Sequence, residues 1–539
     1  MALKAKLKKP KDKKKNKKGK AKKPTLSKKE LAARKKKRAK MMSEAIGALA
    51  TYGGIGAVVG AILFFVADAK LAIAGGGGIA VLSLSFKYPM MGLWGFLIYL
   101  PFSGTITYWI GGGNVIFQLA KDGFYIPALI ALVLELKKKK KPFLIEPKLK
   151  NPLYILLGFC LVMLLLVNGV QQLNPPYPGD KPIPMGILGL KVFVGYIPLM
   201  TCAYYQVKDK KNLLFFTRMM LVLVIICCLL GMVQYQFLTS GRCKGTDHLS
   251  GEDLFKATLE YKCFVGGSLV FSPSQGMIRL PGTFVAPWQW AWFLIGNAFF
   301  TFATAFSDPS PLWRMGGLAG MALVFINAVI SGQRIALALV PTVTIILLVL
   351  TGQVANLKRF IPIAGGLGVL LLVVSASNPA IVQERIDSFV SRWNASPPTT
   401  FIAQQFEHTS GDTEGILGNG LGRATNSARV FGKTSLIETY YPKLIYEIGP
   451  LGAILFLGFV STITLTSFKA YRSVKEKNLR SFGASFWVFV LIISYNTYYY
   501  PLDVDPVCVY YWYAAGVIYR LPEIDKEERK KKELEEAME

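Results

Sequence analysis

The chain has 539 residues, of which 52% are hydrophobic, with a mean hydropathy of +0.38 and a formal net charge of +31. This composition is too apolar for an ordinary soluble protein with one core, and it indicates a chain whose solvent is lipid. The charge is local rather than spread along the chain, because 21 Lys and Arg residues fall within residues 1–40, beside only two acids.

Residues 1–45 are predicted to form a disordered polybasic tail. A block of like charges with few apolar residues cannot bury a core, and it is suited to anionic lipid headgroups. RNA is the alternative partner, although no nucleic acid is expected. Basic residues beside a first span stay in the cytoplasm, so the N-terminus is predicted to be cytoplasmic.

Hydrophobic runs long enough to cross a bilayer follow the tail and alternate with short polar connectors. In lipid such runs are helical, because every backbone polar group needs a partner. The sequence therefore predicts an all-α polytopic membrane protein with about 14 transmembrane helices between residues 46 and 520, followed by a charged cytoplasmic tail at 521–539. The predicted spans lie near 46–68, 71–86, 89–106, 115–136, 152–170, 185–206, 213–238, 285–306, 315–331, 335–351, 361–377, 448–468, 483–499 and 507–520.

Counting crossings from the N-terminus places basic connectors such as 137–141 and 469–480 in the cytoplasm, as the positive-inside rule requires. The same count places both termini inside. Two spans are weaker than the others. The second contains the run Gly75 to Gly78, which indicates close helix contact or a break, and the fourth carries Lys121 and Asp122.

Two long extracytoplasmic loops are predicted at 239–284 and 378–447. Unstructured loops of this length are uncommon, so we expect function to reside in them. Cys243 and Cys263 bracket a polar stretch of the first loop, where an oxidising compartment favours a disulfide; two unpaired thiols are the alternative. The other five cysteines fall in or beside predicted spans, as buried small apolar residues do.

No Walker A loop, dinucleotide fingerprint or zinc-type Cys/His spacing is present, so neither a cofactor nor a metal is expected. Instead, charged residues stand at the outer ends of spans. Arg279 precedes the eighth span, and Arg334 lies in the turn between the ninth and tenth. A guanidinium at headgroup depth binds phosphate bidentately, so both are candidate substrate-binding residues. Interfacial snorkelling is the alternative interpretation.

Glu438 is the candidate catalytic residue. Pro442 suits the first turn of a helix, which places Glu438 just ahead of a helix N-terminus, where a carboxylate is favoured. Such a carboxylate can take a proton from an attacking sugar hydroxyl as a general base. A solvated capping acid is the alternative, and His248 and His408 in the outer loops are other candidate bases.

Three motifs stand in order along the chain: Arg279-Leu-Pro-Gly-Thr-Phe, Ser331-Gly-Gln-Arg-Ile-Ala and Gly418-Asn-Gly-Leu-Gly. They resemble the Arg-x-x-Gly-Thr-Phe, Ser-Arg-Gly-Ala and Gly-x-Gly-Leu-Gly elements of the O-antigen ligase and polymerase superfamily of bacterial membrane glycosyltransferases. The ligases continue with a histidine, a small polar residue, nine further residues and Gly-x-x-Gly. With Gly449 as the first of those glycines, Glu438 occupies the histidine position. This departure favours a polymerase or another branch of the superfamily.

The resemblance implies a metal-independent, inverting transfer from a polyprenyl-diphosphate-linked glycan donor to a glycan or lipid acceptor at the outer face of the bacterial inner membrane. It implies that Glu438 deprotonates the acceptor while Arg279 and Arg334 stabilise the diphosphate leaving group. The alternatives are a membrane transporter, an inorganic-carbon-related member of the same superfamily, and a scaffold that recruits partners through the basic tail. The sequence shows no internal repeat of the kind transporters often have.

Overall fold

The structure is a computed structural model of a helical protein, in which 79% of the described residues are helical. It describes residues 28–113, 116–243, 249, 261–267, 270–272, 277–354, 397–413 and 415–538, together with 365, 383, 387, 390–391 and 393–394. The N-terminal part of the predicted tail, His248 and all of the predicted span at 361–377 except residue 365 lie outside the described residues, as do parts of both predicted long loops.

Ten helices in the described part of the chain are long and apolar enough to cross a membrane. In each helix the backbone N–H and C=O groups are paired within the helix itself, which is the requirement for a chain segment in lipid. The prediction of a multi-pass helical protein is therefore confirmed at this level. The helices are α1 (Lys28–Val66, with its apolar part at Met42–Val66), α2 (Ala69–Lys87), α3 (Pro89–Ile110), α5 (Pro147–Leu173), α6 (Pro182–Gln206), α7 (Lys210–Thr239), α8 (Pro287–Ser307), α9 (Pro311–Ile330), α12 (Tyr440–Ser473) and α13 (Lys477–Tyr495).

Three more predicted spans are helical but fall short of those criteria of length and composition. Helix α4 (Ile116–Lys138) carries several charges, and α10 (Arg334–Leu350) has only 17 residues. The last predicted span opens α14 (Val507–Met538), which continues without interruption through the predicted C-terminal tail. A further helix, α11 (Pro398–Asp412), lies within the second predicted outer loop.

The prediction of a disordered tail over residues 1–45 is wrong for residues 28–45, because α1 begins at Lys28. Residues 28–45 are rich in Ala, Lys, Arg and Glu, which have high helix propensity. An apolar helix follows directly, so these residues extend a helix that is already nucleated.

Burial separates a central layer from a peripheral pair of helices. The apolar window of α8 is 100% buried, whereas those of α1 and α2 are 6% and 17% buried. Helices α1 and α2 cross at glycines, since a Cβ atom on Gly56 would lie 2.5 Å from the carbonyl oxygen of Gly76. Gly75 and Gly76 therefore serve close helix contact, and α2 continues through the Gly75–Gly78 run unbroken.

Two short antiparallel hairpins follow α7. Strand β1 (Lys262–Cys263) pairs with β2 (Gly266–Gly267), and β3 (Val270–Ser272) pairs with β4 (Met277–Arg279). The structure joins Cys243 to Cys263 in a disulfide. The other five cysteines are buried and unbridged.

Candidate active site

Arg279 and Arg334 lie on two segments that touch one another. Arg279 ends β4, and the backbone N–H of the next residue, Leu280, donates to the carbonyl oxygen of Ser331 at 3.0 Å. The guanidinium of Arg279 donates to the side-chain oxygen of Gln333 at 3.5 Å. Arg334 is the first residue of α10, so its backbone stands at the positive end of a helix dipole.

The conformation behind Arg279 depends on Gly282, whose φ is +58°. A Cβ atom there would overlap the ring of Trp290, which is buried in α8. The turn also packs against α3, because the N–H of Thr105 donates to the carbonyl oxygen of Thr283 at 3.2 Å. The Pro-Gly-Thr-Phe part of the motif thus fixes the segment that carries Arg279.

Glu438 lies on an extended segment just before α12, as the position of Pro442 predicts. The adjacent Thr439 forms an antiparallel bridge with Tyr498, and the N–H of Tyr440 donates to the carbonyl oxygen of Thr497 at 2.7 Å. The N–H of Glu438 itself donates to the side chain of Gln405 in α11 at 2.9 Å. These three contacts hold the half-buried Glu438 against the segments that carry Gln405, Thr497 and Tyr498.

The charges of both arginines act on the Glu438 carboxylate. Burial raises the pKa of the Glu438 carboxyl above its ordinary value, and the positive charges of Arg279 and Arg334 oppose that rise. The structure therefore brings the three residues singled out in the sequence into one electrostatic environment.

Gln333 and a run of three tyrosines at the site were not found from the sequence. The side-chain nitrogen of Gln333 is buried and has no hydrogen-bond partner among the residues that the structure describes. Burial raises the pKa of Tyr500 to about 12, and the charge of Glu438 adds to that rise; the pKa of Tyr498 is raised for the same reasons, with Arg334 opposing. The run of three consecutive tyrosines, Tyr498 to Tyr500, was the available signal in the sequence.

The Gly418-Asn-Gly-Leu-Gly motif forms a loop that inserts at a break in α12. Its three glycines all have positive φ, between +76° and +104°. Gly449, at φ +68°, interrupts α12, and a Cβ atom on Gly418 would lie 2.5 Å from its backbone nitrogen. The side chain of Asn168 in α5 clamps the loop by exchanging two 3.0 Å hydrogen bonds with the backbone of Leu421. The glycines of this motif therefore serve backbone packing.

Buried ion pairs hold the segments around the site together. Lys443 of α12 pairs with Asp503, and its ammonium nitrogen lies 4.0 Å from the carboxylate of Glu447. Glu447 accepts hydrogen bonds from the N–H of Ala424 at 2.8 Å and the hydroxyl of Thr425 at 2.9 Å. The loop that follows Gly422 is thereby tied to the helix that follows Glu438.

A second buried pair joins this loop to the connector between α5 and α6. Arg423 pairs with Asp180 at 2.5 Å, and the side chains are 5% and 2% exposed. The guanidinium also donates to the side-chain oxygen of Gln171 at 3.0 Å. Four segments that are separate in the sequence are thus fixed relative to one another.

The alternative base His408 is on the exposed surface of α11. Its ring nitrogen lies 3.4 Å from Asp412, with half of the side chain in solvent. Among the described residues, no group of three His, Cys, Asp or Glu side chains is arranged to hold a metal ion.

The described part of the chain thus defines a multi-pass helical membrane protein with a carboxylate and two arginines gathered at the ends of its helices. Comparisons with known protein families and with characterised proteins find no match. Chemically, the site combines an anion-binding face, made by two guanidiniums, a free amide donor and a helix N-terminus, with a carboxylate able to accept a proton.

Proposed function

We propose that this protein transfers a polyprenyl-diphosphate-linked glycan to a sugar hydroxyl at the outer face of the bacterial inner membrane, as a glycan polymerase or ligase. The observation that carries the proposal is the presence of Arg279 and Arg334 in the electrostatic surroundings of Glu438. The side-chain nitrogen of Gln333 supports it, because this buried donor has no partner among the described residues, and such a donor is costly unless a ligand satisfies it.

In the proposed reaction the acceptor oxygen attacks the anomeric carbon of the donor sugar while the bond from that carbon to the diphosphate breaks. Glu438 takes the acceptor proton, and the polyprenyl diphosphate leaves with the bonding electron pair. Arg279 and Arg334 stabilise the charge that develops on the leaving group, which is commonly the larger contribution. No cofactor takes part in this scheme.

We further propose fourteen crossings with both termini in the cytoplasm. Polar contacts between distant connectors support this topology. Each of the following six contacts joins two segments that the topology places on the same side of the membrane. On the outer side they join Thr105 with Thr283, Asp180 with Arg423 and Lys443 with Asp503, whereas on the inner side they join Tyr205 with Pro142, Lys210 with Glu476 and Arg218 with Asp308.

The described segments on either side of the predicted span at 361–377 support an eleventh crossing. Helix α10 leads away from the site at Arg334, and its 17 residues cover about 25 Å at 1.5 Å per residue. Helix α11 lies at the site, where Gln405 meets Glu438. We therefore include the predicted span at 361–377 among the fourteen proposed crossings.

The experiment that tests the proposal replaces each site residue and follows the fate of the lipid-linked glycan. Arg279→Ala and Arg334→Ala are each expected to lower the transfer rate by about 10²–10³-fold, and Glu438→Gln by about 10²–10⁴-fold. Carrier-linked glycan accumulates, and long surface polysaccharide is lost. His408→Ala and Arg242→Ala are matched controls, because both side chains are exposed and neither is among the charges that shift the pKa of Glu438.

Normal polymer in Glu438→Gln protein that reaches the membrane would end the proposal that this carboxylate is the base.

A transporter is the second candidate, favoured by the ion pairs of Lys121 with Asp505 and of Lys191 with Asp122 at 2.8 Å. Charges paired within helical segments are a feature of ion and solute pathways. Normal polysaccharide together with impaired solute uptake after gene deletion would favour transport.

A further inference from the structure

The last outer turn, between α13 and α14, carries three adjacent tyrosines on a strained backbone. Tyr499 has φ +54° and Tyr500 has φ +28°. Left-handed backbone is rare for bulky residues and costs about 1–3 kcal/mol for each one. The carbonyl oxygen of Tyr499 is held by the indole N–H of Trp292 at 3.1 Å. The fold therefore maintains a conformation that local propensity opposes.

The strained turn sets several aromatic rings side by side. The rings of Tyr498 and Tyr499 meet edge to face with centroids 4.5 Å apart. Phe401 of α11 contacts both, edge to face with Tyr498 at 5.9 Å and nearly parallel to Tyr499 at 6.4 Å. All three side chains are half-buried, so they are packed together but still reach the surface.

This aromatic group lies beside Glu438. The antiparallel bridge between Thr439 and Tyr498 sets Glu438 across from Tyr499. Helix α11 contacts both the tyrosines and Glu438. Its Phe401 packs against the tyrosine rings, and its Gln405 accepts a hydrogen bond from the N–H of Glu438 at 2.9 Å. A ligand resting on these rings has the carboxylate next to it.

We propose that Tyr498, Tyr499 and Phe401 form a platform for the acceptor sugar and hold its hydroxyl toward Glu438. This inference rests on the proposed glycan transfer. The face of an aromatic ring is apolar and carries negative charge density, which complements the weakly positive C–H bonds on one face of a pyranose ring. Sugar hydroxyls remain free at the ring edge, where Glu438 can accept a proton.

An interfacial aromatic belt is the ordinary explanation for tyrosines at the end of a span. Tyr495, at the end of α13, fits that explanation: it is 43% exposed, and its hydroxyl bonds to Ser461 at 2.9 Å. A belt residue needs neither left-handed backbone nor contact with an aromatic ring from another segment. Tyr495 is therefore a matched control within the same stretch of chain.

The test measures binding of one probe, the oligosaccharide released by mild acid from the host's own lipid-linked glycan. The full-length Glu438→Gln protein in lipid nanodiscs is the parent, so that binding is measured without turnover. Adding Tyr499→Ala or Phe401→Ala is expected to weaken binding by about tenfold, the loss of one aromatic contact. Tyr499→Phe keeps the ring and retains affinity, and Tyr495→Ala leaves affinity unchanged.

Equal affinity in the parent, the Tyr499→Ala protein and the Phe401→Ala protein would overturn the platform. The Phe401 variant guards against misfolding of the strained turn, because it removes a ring without changing that turn. Failure of the platform is distinguishable from failure of the proposed function. The first appears as unchanged oligosaccharide binding, and the second as normal polymer made by the Glu438→Gln protein itself.

Discussion

Replacing Lys443 with methionine tests whether a buried ion pair holds the site together. The Lys443 side chain is 5% exposed and pairs with Asp503, which is 9% exposed; Glu447, at 3%, lies 4.0 Å away. Methionine fills much of the same volume but leaves two buried carboxylates without their cation. Removing one partner of a buried pair costs about 3–5 kcal/mol, because the remaining charge keeps its desolvation penalty.

The assay is thermal unfolding of the detergent-solubilised protein. The fraction that stays folded at each temperature is measured by fluorescence-detected size-exclusion chromatography. Lys433→Met is the matched control, since Lys433 is exposed and packs over the ring of Tyr177 at 4.4 Å, an interaction worth about 0.5–1 kcal/mol. Adding Asp503→Asn to Lys443→Met should recover part of the loss by removing an uncompensated charge. Wild-type unfolding of the Lys443→Met protein, or a double variant less stable than the single one, would refute this reasoning.

Three further changes have defined outcomes. Gly422→Ala should prevent accumulation of folded protein, because φ is +84° there and a Cβ atom would overlap a backbone carbonyl, whereas Gly458→Ala, in open space on α12, should be neutral or slightly stabilising. Replacing Cys243 and Cys263 with serine should lower stability by about 3 kcal/mol, and alkylation should add mass to these two wild-type cysteines only after reduction. A pH–rate profile should place the acid limb of transfer above pH 4.5, because the raised pKa of Glu438 means that a higher pH is needed to form the carboxylate. The protonated form of Glu438 stabilises the folded protein, and this contribution should be lost as pH rises through the raised pKa.

The helices were largely predictable because lipid imposes one rule on every span. An apolar run of about 20 residues is visible in any short window of sequence. Partners of buried charges are not visible in this way. Lys121 and Asp122 made the fourth span doubtful, and their partners, Asp505 and Lys191, lie far along the chain. Only the folded arrangement shows that the charges of α4 are paired.

The candidate site likewise has residues that the sequence could identify and residues that it could not. Arg279, Arg334 and Glu438 could be picked out because ionisable groups at span ends are costly when idle. The amide of Gln333 carries no charge, and its significance is that its nitrogen lacks a partner within the described structure. The left-handed backbone at Tyr499 opposes local propensity, so no reading of residue preferences predicts it.

Donor binding should itself strengthen the base. The positive charges of Arg279 and Arg334 lower the pKa of Glu438 in the free protein, against the effect of burial. A bound diphosphate neutralises those charges and excludes water, so the pKa of Glu438 should rise further in the complex. The pH dependence of kcat/KM reports the free protein and that of kcat reports the complex. The acid limb of kcat should therefore lie at higher pH than that of kcat/KM, and coincident or reversed limbs would show that the arginines do not bind the diphosphate beside this carboxylate.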